Sequence, residues 1–347
     1  MAPTSSIFML LALAVCDAAI SCQNEDGQPV DWFIIYKLPR YKIGEVGSGV
    51  DYMYLDPSLD TWQLSKFMVN TSQGAISNTL NQLYSKAINK SSGFVYAFYN
   101  DSPPLLKYMR GYGHTKGVLL FDSSQGFLLS HSIPHFPSFP EMGYLYPSSG
   151  KDNGQTALCV SLHYDQFVHV TQHLVYLFPR FYNCSVPPAF ASKLPQLAQL
   201  CAGQRPEAPS DKRMDQLLSL QGEMFFTFAK SDHFVDDIYT GWVAQVLKAD
   251  LMTETWQRPD HELPSNCSLP NHVMNIKRIR LPKSTPFYSK YDHSKWCVSW
   301  AYEKQLTCLG DLNREVLQMW RGGGLMCSNN TLIYKSFRPV VDWYIGC

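Results

Sequence analysis

Residues 112–122 read "YGHTKGVLLFD", an apolar, strand-like run that opens on a histidine and a lysine two positions apart, His114 and Lys116. Residues 292–299, "DHSKWCVS", repeat the pattern with His293 and Lys295. Side chains at i and i+2 of a strand leave the same face, so each motif sets an imidazole beside an ammonium. One His-x-Lys is weak, because two polar residues at the mouth of a strand need no further explanation. Two copies in one chain, each followed by an apolar run, a turn and a return, imply a duplicated unit.

The returns can be counted. A turn between Ser123 and Ser124 brings back "GFLLSHSIP" and sets His131 opposite Lys116. A turn centred on Glu303 brings back "LTCLGDLN", with Asp311 opposite Lys295 and Asn313 opposite His293. Strands are expected at 30–39, 93–100, 116–122 and 126–134, all rich in β-branched and aromatic residues. Helices are expected in "SQGAISNTLNQLYSK", through Ile76, Leu80 and Leu83, and over 231–251 behind a Ser231/Asp232 cap, with Asp236 and Asp237 on a solvated face. The mixture predicts an α/β fold (α+β, mixed sheets) rather than an all-β sandwich.

Residues 185–213, rich in Pro, Ala and Ser, form a linker or long excursion between an N-terminal lobe, 22–184, and a C-terminal lobe, 214–347, each with one His-x-Lys. The Pro-aromatic stretch 133–147 is irregular, and its His135 is a candidate substrate contact. His163, His169 and His173 suit surface or packing roles, and "RGGG" at 321–324 suits a glycine turn better than a backbone anion nest.

Two histidines and two lysines brought together suit a phosphodiester. The ammonium groups meet charge developing on the non-bridging oxygens; one imidazole attacks phosphorus while the other protonates the leaving oxygen. One ring must be neutral while the other is charged, so a bell-shaped, acidic pH dependence follows. No HExxH, CxxC pair or acidic cluster lies near these histidines, so neither metal nor cofactor is expected.

The 347 residues are 45% hydrophobic and 14% aromatic, which predicts a packed core. The stretch "SSIFMLLALAVCDAAISC" reads as a secretory leader, 1–21, cleaved between Asp17 and Cys22, and no later segment looks transmembrane. Ten cysteines, nine from Cys22 onward, suit an oxidising compartment. So do six sequons, at Asn70, Asn89, Asn100, Asn183, Asn266 and Asn329. A formal charge of zero excludes a constitutively basic nucleic-acid binder, but ten histidines would make the chain cationic in acid.

The stretches "PVDWFIIYKLP", "YNDSPP", "GHTKGVLLFD", "HSIPHFP", "LPSNCSLP", "DHSKWCVS" and "TCLGDLNR" together resemble the deoxyribonuclease II family of acid endonucleases, from about Cys22 to Cys347. "FAKSDHFVDDIY" and "TETWQRPDHELPSNCSLP", with Cys184 and Cys201, are closer in appearance to its β branch. The resemblance implies a phospholipase D-like fold, two pseudo-symmetric lobes meeting at one central active-site cleft. It implies metal-independent hydrolysis of double-stranded DNA at acid pH, in lysosomes or after secretion, leaving 3′-phosphate and 5′-hydroxyl ends. His114, Lys116, His293 and Lys295 would be the catalytic quartet, with His131, Asn313 and Asp311 in support; His114 would be the nucleophile and His293 the general acid, or the reverse. The wider superfamily carries an Asp five residues after the Lys; here Phe121 and Trp300 stand there, leaving Asp122, Asp292 and Asp311 as candidate orienting carboxylates. The implied disulfides are Cys22–Cys159, Cys267–Cys347 and Cys308–Cys327, with Cys184–Cys201 as an extra pair and Cys297 free. Two rival readings are a two-histidine ribonuclease working through the 2′-hydroxyl, and a secreted polyanion-binding glycoprotein without catalysis.

Overall fold

The computed structural model describes residues 19–40, 47–89, 93–256, 258 and 260–347, without the side chains of 86–89. Most of the expected leader and the Asn89 acceptor group lie outside these residues. The fold is mixed α/β, with two large sheets, a short ribbon (Cys22–Gln23 with Pro29–Val30) and few helices. Among the described residues no helix is long and apolar enough to cross a membrane.

The first sheet runs Phe181–Ser185, Val95–Asn100, Lys116–Phe121, Gln125–His131, Gln155–His163, Trp32–Lys37, Tyr52–Leu55, Gln63–Leu64. The second runs Phe287–Tyr288, Val273–Ile279, Leu251–Glu254, Trp296–Ser299, Thr307–Gly310, Gly323–Ser328, Met224–Lys230, Lys212–Leu218, and Val341–Ile345 adds beside Val273–Ile279. In both, the strand after the His-x-Lys lies between an earlier strand of that half and its own return, next comes the strand leading into a helix (Gln166–Leu177 or Thr331–Phe337), and then a still earlier strand. All these neighbours are antiparallel. Among the named strands of the described residues, the parallel pair is Leu251–Glu254 with Val273–Ile279, and the pairs of the first sheet are antiparallel.

Strand Trp32–Lys37 shows why these runs are apolar without alternation. Trp32, Ile34 and Tyr36 enter one core, Phe33 and Ile35 a second, so both faces are buried. The first core is common to both sheets: it holds Val160 and Leu128, Trp296 and Met326, and, between them, Phe167, Leu174, Ile333 and Phe337 of the two helices. The outer face of the first sheet is covered by helix Ala75–Asn89 through Ile76, Leu80 and Leu83. The outer face of the second is covered by the helix Tyr239–Val243, π-wound, continuing as Ala244–Leu247.

That second helix starts later than 231–251 suggests. Ser231 Oγ takes the His233 amide (3.2 Å), while Asp237 takes the amides of Tyr239 and Thr240 (3.3 Å each), so the turn begins at Asp237. Asp237 does not lie on a solvated face: it is buried and paired to Arg314 at 2.9 Å, because a buried guanidinium needs a carboxylate. Ile20 and Ser21 are buried and their carbonyls accept from the Gln125 and Gln82 side chains. Residues 185–213 carry two short helices, Pro188–Ala191 and Pro195–Cys201, the latter tied to Cys184. The other disulfides are Cys22–Cys159, Cys267–Cys347 and Cys308–Cys327, as the resemblance implies, and Cys297 is a free, buried thiol.

Candidate active site

Gly117 pairs with Ser130, which sets Lys116 beside His131 one step further, as counted from the turn. In the second hairpin the count slips by one. Trp296 pairs with Leu309, so Gly310 rather than Asp311 faces Lys295, and Asn313 falls out of line with His293. The turn "WAYEKQ" holds one residue fewer in the paired count than a centre on Glu303 allows.

The two motifs meet. His114, Lys116, His293, Lys295 and Asn313 line one cavity of about 260 Å³ with Asp101, Trp256, Arg258, Glu315 and Arg321. His131 and Asp311 are not in its lining but stand behind it. His131 is buried, its Nδ1 accepting from the Ile133 amide at 3.1 Å, its Nε2 without a partner among the described residues; burial and then Lys116 push it down to about 3. Asp311 gives its backbone carbonyl to His114 Nδ1–H at 2.6 Å and its side chain to the Gly324 amide at 2.9 Å; burial raises its carboxyl to about 7.

Asp101 organises the first half. Asn100 pairs with Lys116, so Asp101, one residue on, reaches Lys116 Nζ at 2.5 Å; it also meets Arg321 at 3.1 Å and stands 4.0 Å from His114 Nε2. Burial would raise its carboxyl, but Lys116, then His114 and Arg321, hold it well below the usual carboxylate range. The second half is built differently. The Trp256 ring packs against the His293 ring at a tilt of 52°, centroids 4.0 Å apart, and Lys295 Nζ donates to the His293 carbonyl. Burial, then Lys295 and Lys116, bring His293 down to about 2, and burial with the Lys116 charge brings Lys295 down to about 7. His293 Nε2 has no partner among the described residues. Lys116, Lys295 and Arg321 against Asp101 leave an excess of positive charge that an anion would offset.

Of the three carboxylates considered as orienting groups, none meets a histidine ring through its side chain. Asp122 caps the far turn through the Ser124 and Gln125 amides. Asp292 is taken by Tyr36 Oη and Ser294, and Asp311 acts through its carbonyl. His135 lies outside the cavity lining and is held at both ring nitrogens: Nε2 meets Ser102 Oγ at 3.0 Å and Nδ1 meets Ser149 Oγ at 2.9 Å. Asn100 is no glycan acceptor in this fold, being fully buried with its amide given to the Ile133 and Phe136 carbonyls. Sequence reasoning missed Asp101, Trp256, Arg321 and Arg258. Only Asp101 carried a usable signal, its place just past the end of the strand paired with the first motif. Among the described residues, Cys267, His272 and Cys347 come within metal-binding distance of one another, but the two sulfurs are joined to each other.

Comparison with known proteins places this geometry. The family model described as Deoxyribonuclease II matches residues 21–347. Deoxyribonuclease-2-beta of Rattus norvegicus is 46% identical, over 98% of this chain and 96% of its own. Deoxyribonuclease-2-beta of Homo sapiens is 45% identical, over 95% and 92%, and Deoxyribonuclease-2-alpha of Sus scrofa 37% identical, over 100% and 96%. The match covers both His-x-Lys motifs and every element that carries the cleft, and the chain belongs to the deoxyribonuclease II family.

Proposed function

We propose that this chain is an endodeoxyribonuclease that hydrolyses double-stranded DNA in acid, without a metal, through a phosphohistidine, and leaves 3′-phosphate and 5′-hydroxyl ends. The observation that carries this reading is the convergence of two distant His-x-Lys motifs on one cationic cavity. The repeated strand order supports two phospholipase D-like lobes, 22–184 and 214–347, joined by 185–213. The disulfides suit a lysosomal or secreted protein with glycans on Asn70, Asn183, Asn266 or Asn329.

The Asp311 carbonyl holds the His114 proton on Nδ1, so the Nε2 lone pair is free to attack phosphorus. As the P–Nε2 bond forms and the P–O5′ bond breaks, His293 gives its proton to O5′, while Lys116, Lys295 and Arg321 meet the charge on the non-bridging oxygens. The neutral His293 then takes a proton from water, whose oxygen forms the new bond to phosphorus as the P–N bond breaks. A bound phosphodiester supplies the anion that His293 lacks in the free cleft, and raises it toward protonation. Lys295, at about 7, is charged below that pH and neutral above it, so anion binding weakens as pH rises through that value.

One observation favours the reverse assignment: Asp101, 4.0 Å from His114 Nε2, stabilises a charged His114 and so suits it as the acid. Plasmid digestion with chelator present, across about pH 4 to 8, tests the whole reading with wild type, His114→Ala and His293→Ala. Cleavage should survive chelation, peak in acid and vanish in both variants. Strong acid cleavage by either variant, or loss on chelation, would overturn it. Cleavage of DNA, which lacks a 2′-hydroxyl, excludes the ribonuclease route; DNA binding that persists in wild type without cleavage would favour a polyanion-binding glycoprotein. Acid-labile phosphate trapped on one variant but not the other names the nucleophile.

A further inference from the structure

Two buried lysines outside the cleft repeat one another across the duplication. Lys37 ends strand Trp32–Lys37 opposite Gln155, and Lys230 ends strand Met224–Lys230 opposite Gly323. Both are 0% exposed. Lys37 Nζ donates to the carbonyls of Lys151 (3.0 Å) and Asn153. Lys230 Nζ donates to those of Met319 (2.9 Å), Arg321 (2.6 Å) and Ser231 (3.2 Å). Each lysine therefore ties down the segment entering the neighbouring strand, 151–154 or 319–322.

Each segment ends at a glycine that crosses to the other lobe. The Gly154 carbonyl accepts the backbone amide of His293 at 2.9 Å, and the Gly322 carbonyl accepts that of His114 at 2.8 Å. Neither glycine has room for a side chain: a Cβ would stand 2.4 Å from Asp292 Oδ1 at Gly154 and 2.4 Å from the Leu177 carbonyl at Gly322. A buried ammonium is a costly way to fill a core, and burial pulls Lys37 down to about 7 and Lys230 to about 8. What it supplies, and a Leu or Met does not, is several donors converging on carbonyls that would otherwise be left unmade.

We propose that Lys37 and Lys230 are positioning residues that act across the lobes, Lys37 holding His293 in place through Gly154 and Lys230 holding His114 through Gly322. The inference rests on the reading of the two histidines as catalytic. It makes a crossed prediction: each lysine controls the histidine of the opposite lobe, not the one that follows it in its own.

The test compares Lys37→Met and Lys230→Met with His114→Ala and His293→Ala on duplex DNA and on a thymidine 3′-(p-nitrophenyl phosphate), whose leaving group needs no proton. A variant that has lost the acid keeps the second activity; one that has lost the nucleophile keeps neither. Misplacement of about 1 Å is enough for a loss of roughly 10²-fold, so Lys37→Met should lose about 10²-fold on DNA and sort with His293→Ala. Lys230→Met should sort with His114→Ala. Should the two histidines exchange classes, the lysines must exchange with them. Lys37→Gln and Lys230→Gln, which keep a neutral donor toward the carbonyls, should recover part of the loss, and they carry the test if a Met variant fails to fold. Lysine variants that sort with their own lobe's histidine, that both sort with the same histidine, or that cleave at the wild-type rate overturn the inference. Histidine variants that still cleave DNA overturn the reading beneath it.

Discussion

Replacing Asp101 by Asn removes one negative charge and little volume from a site where that charge has several partners. The carboxylate is buried, 2.5 Å from Lys116 Nζ and 3.1 Å from Arg321. Taking one partner from a buried ionic group costs about 3–5 kcal/mol, because the remaining charges stay out of water uncompensated. Unfolding entropy near 2.1 cal/mol/K per residue over 347 residues converts that to a fall in Tm of about 4–7 °C. The sign of the pH dependence follows from the depressed carboxyl. Its stabilisation is complete above the unfolded value of about 3.9 and fades only as pH falls through the lower folded value. Thermal melts of wild type and Asp101→Asn should therefore differ by the full amount at about pH 5 and converge only on deeper acidification. Activity adds a second reading. Burial and Lys116 already hold His114 well below its ordinary value, and without the carboxylate it loses a neighbour that favours its charged form. The limb of the pH–rate profile that His114 governs should move toward acid, and kcat should fall as Lys116 loses its anchor. An Asp101→Asn protein with unchanged Tm at pH 5 and an unmoved profile would refute the electrostatic account of this half of the cleft.

Trp256→Ala should raise the His293 pKa from about 2 toward its ordinary value by admitting water to the ring, lowering kcat by about 10-fold through loss of alignment; NMR titration of the labelled ring reads the first effect and single-turnover kinetics the second. Arg314→Met should cost about 3–5 kcal/mol, because Asp237 would keep its charge without its partner. Arg314→Met/Asp237→Asn should cost less than the two changes added, as chemical denaturation of all four proteins will show. Cys297 is buried and its thiol is pushed up by that burial, so iodoacetamide should label it only after denaturation. Labelling of the native protein would place the thiol elsewhere.

What the sequence made legible was local. The His-x-Lys pairs could be seen because strand geometry fixes i and i+2, and the Lys116–His131 alignment because a short turn leaves few registers. The second alignment slipped by one because "WAYEKQ" offers no residue that marks its centre. Strands Gln155–His163 and Met224–Lys230 were unmarked: both are apolar without alternation, the pattern of a strand covered on both faces. Trp256 was hidden for a different reason. It stands just past a strand that pairs with the second motif from far along the chain, with the loop and strand Val273–Ile279 intervening. Asp237 was read as solvated because its partner, Arg314, is remote in sequence and joins it only on folding.

The strand order around each His-x-Lys is the same in the two large sheets, and the departures from that likeness explain how the two sides of the site can differ. Asn100 pairs with Lys116, so Asp101 stands over the residue between His114 and Lys116. Glu254 pairs with Trp296, so Trp256, two residues on, stands over the residue between His293 and Lys295. Asp101 and Trp256 are thus the same position of the repeated unit, filled once by a carboxylate and once by an indole. Asp101 favours an imidazolium at His114 while Trp256 only helps to keep water from His293; burial and the nearby lysines still hold both rings below their ordinary value, so the exchanged residue distinguishes two histidines that burial depresses alike. Two identical imidazoles would titrate together and compete for one role, whereas the proposed division into an acid and a nucleophile calls for separated environments. The contacts from Gly154 and Gly322 hold the two histidine backbones alike, while the Asp101/Trp256 difference sets the charge around each ring apart. Exchanging the two, as Asp101→Trp with Trp256→Asp, should therefore disturb the pH–rate profile more than it disturbs the placement of either histidine.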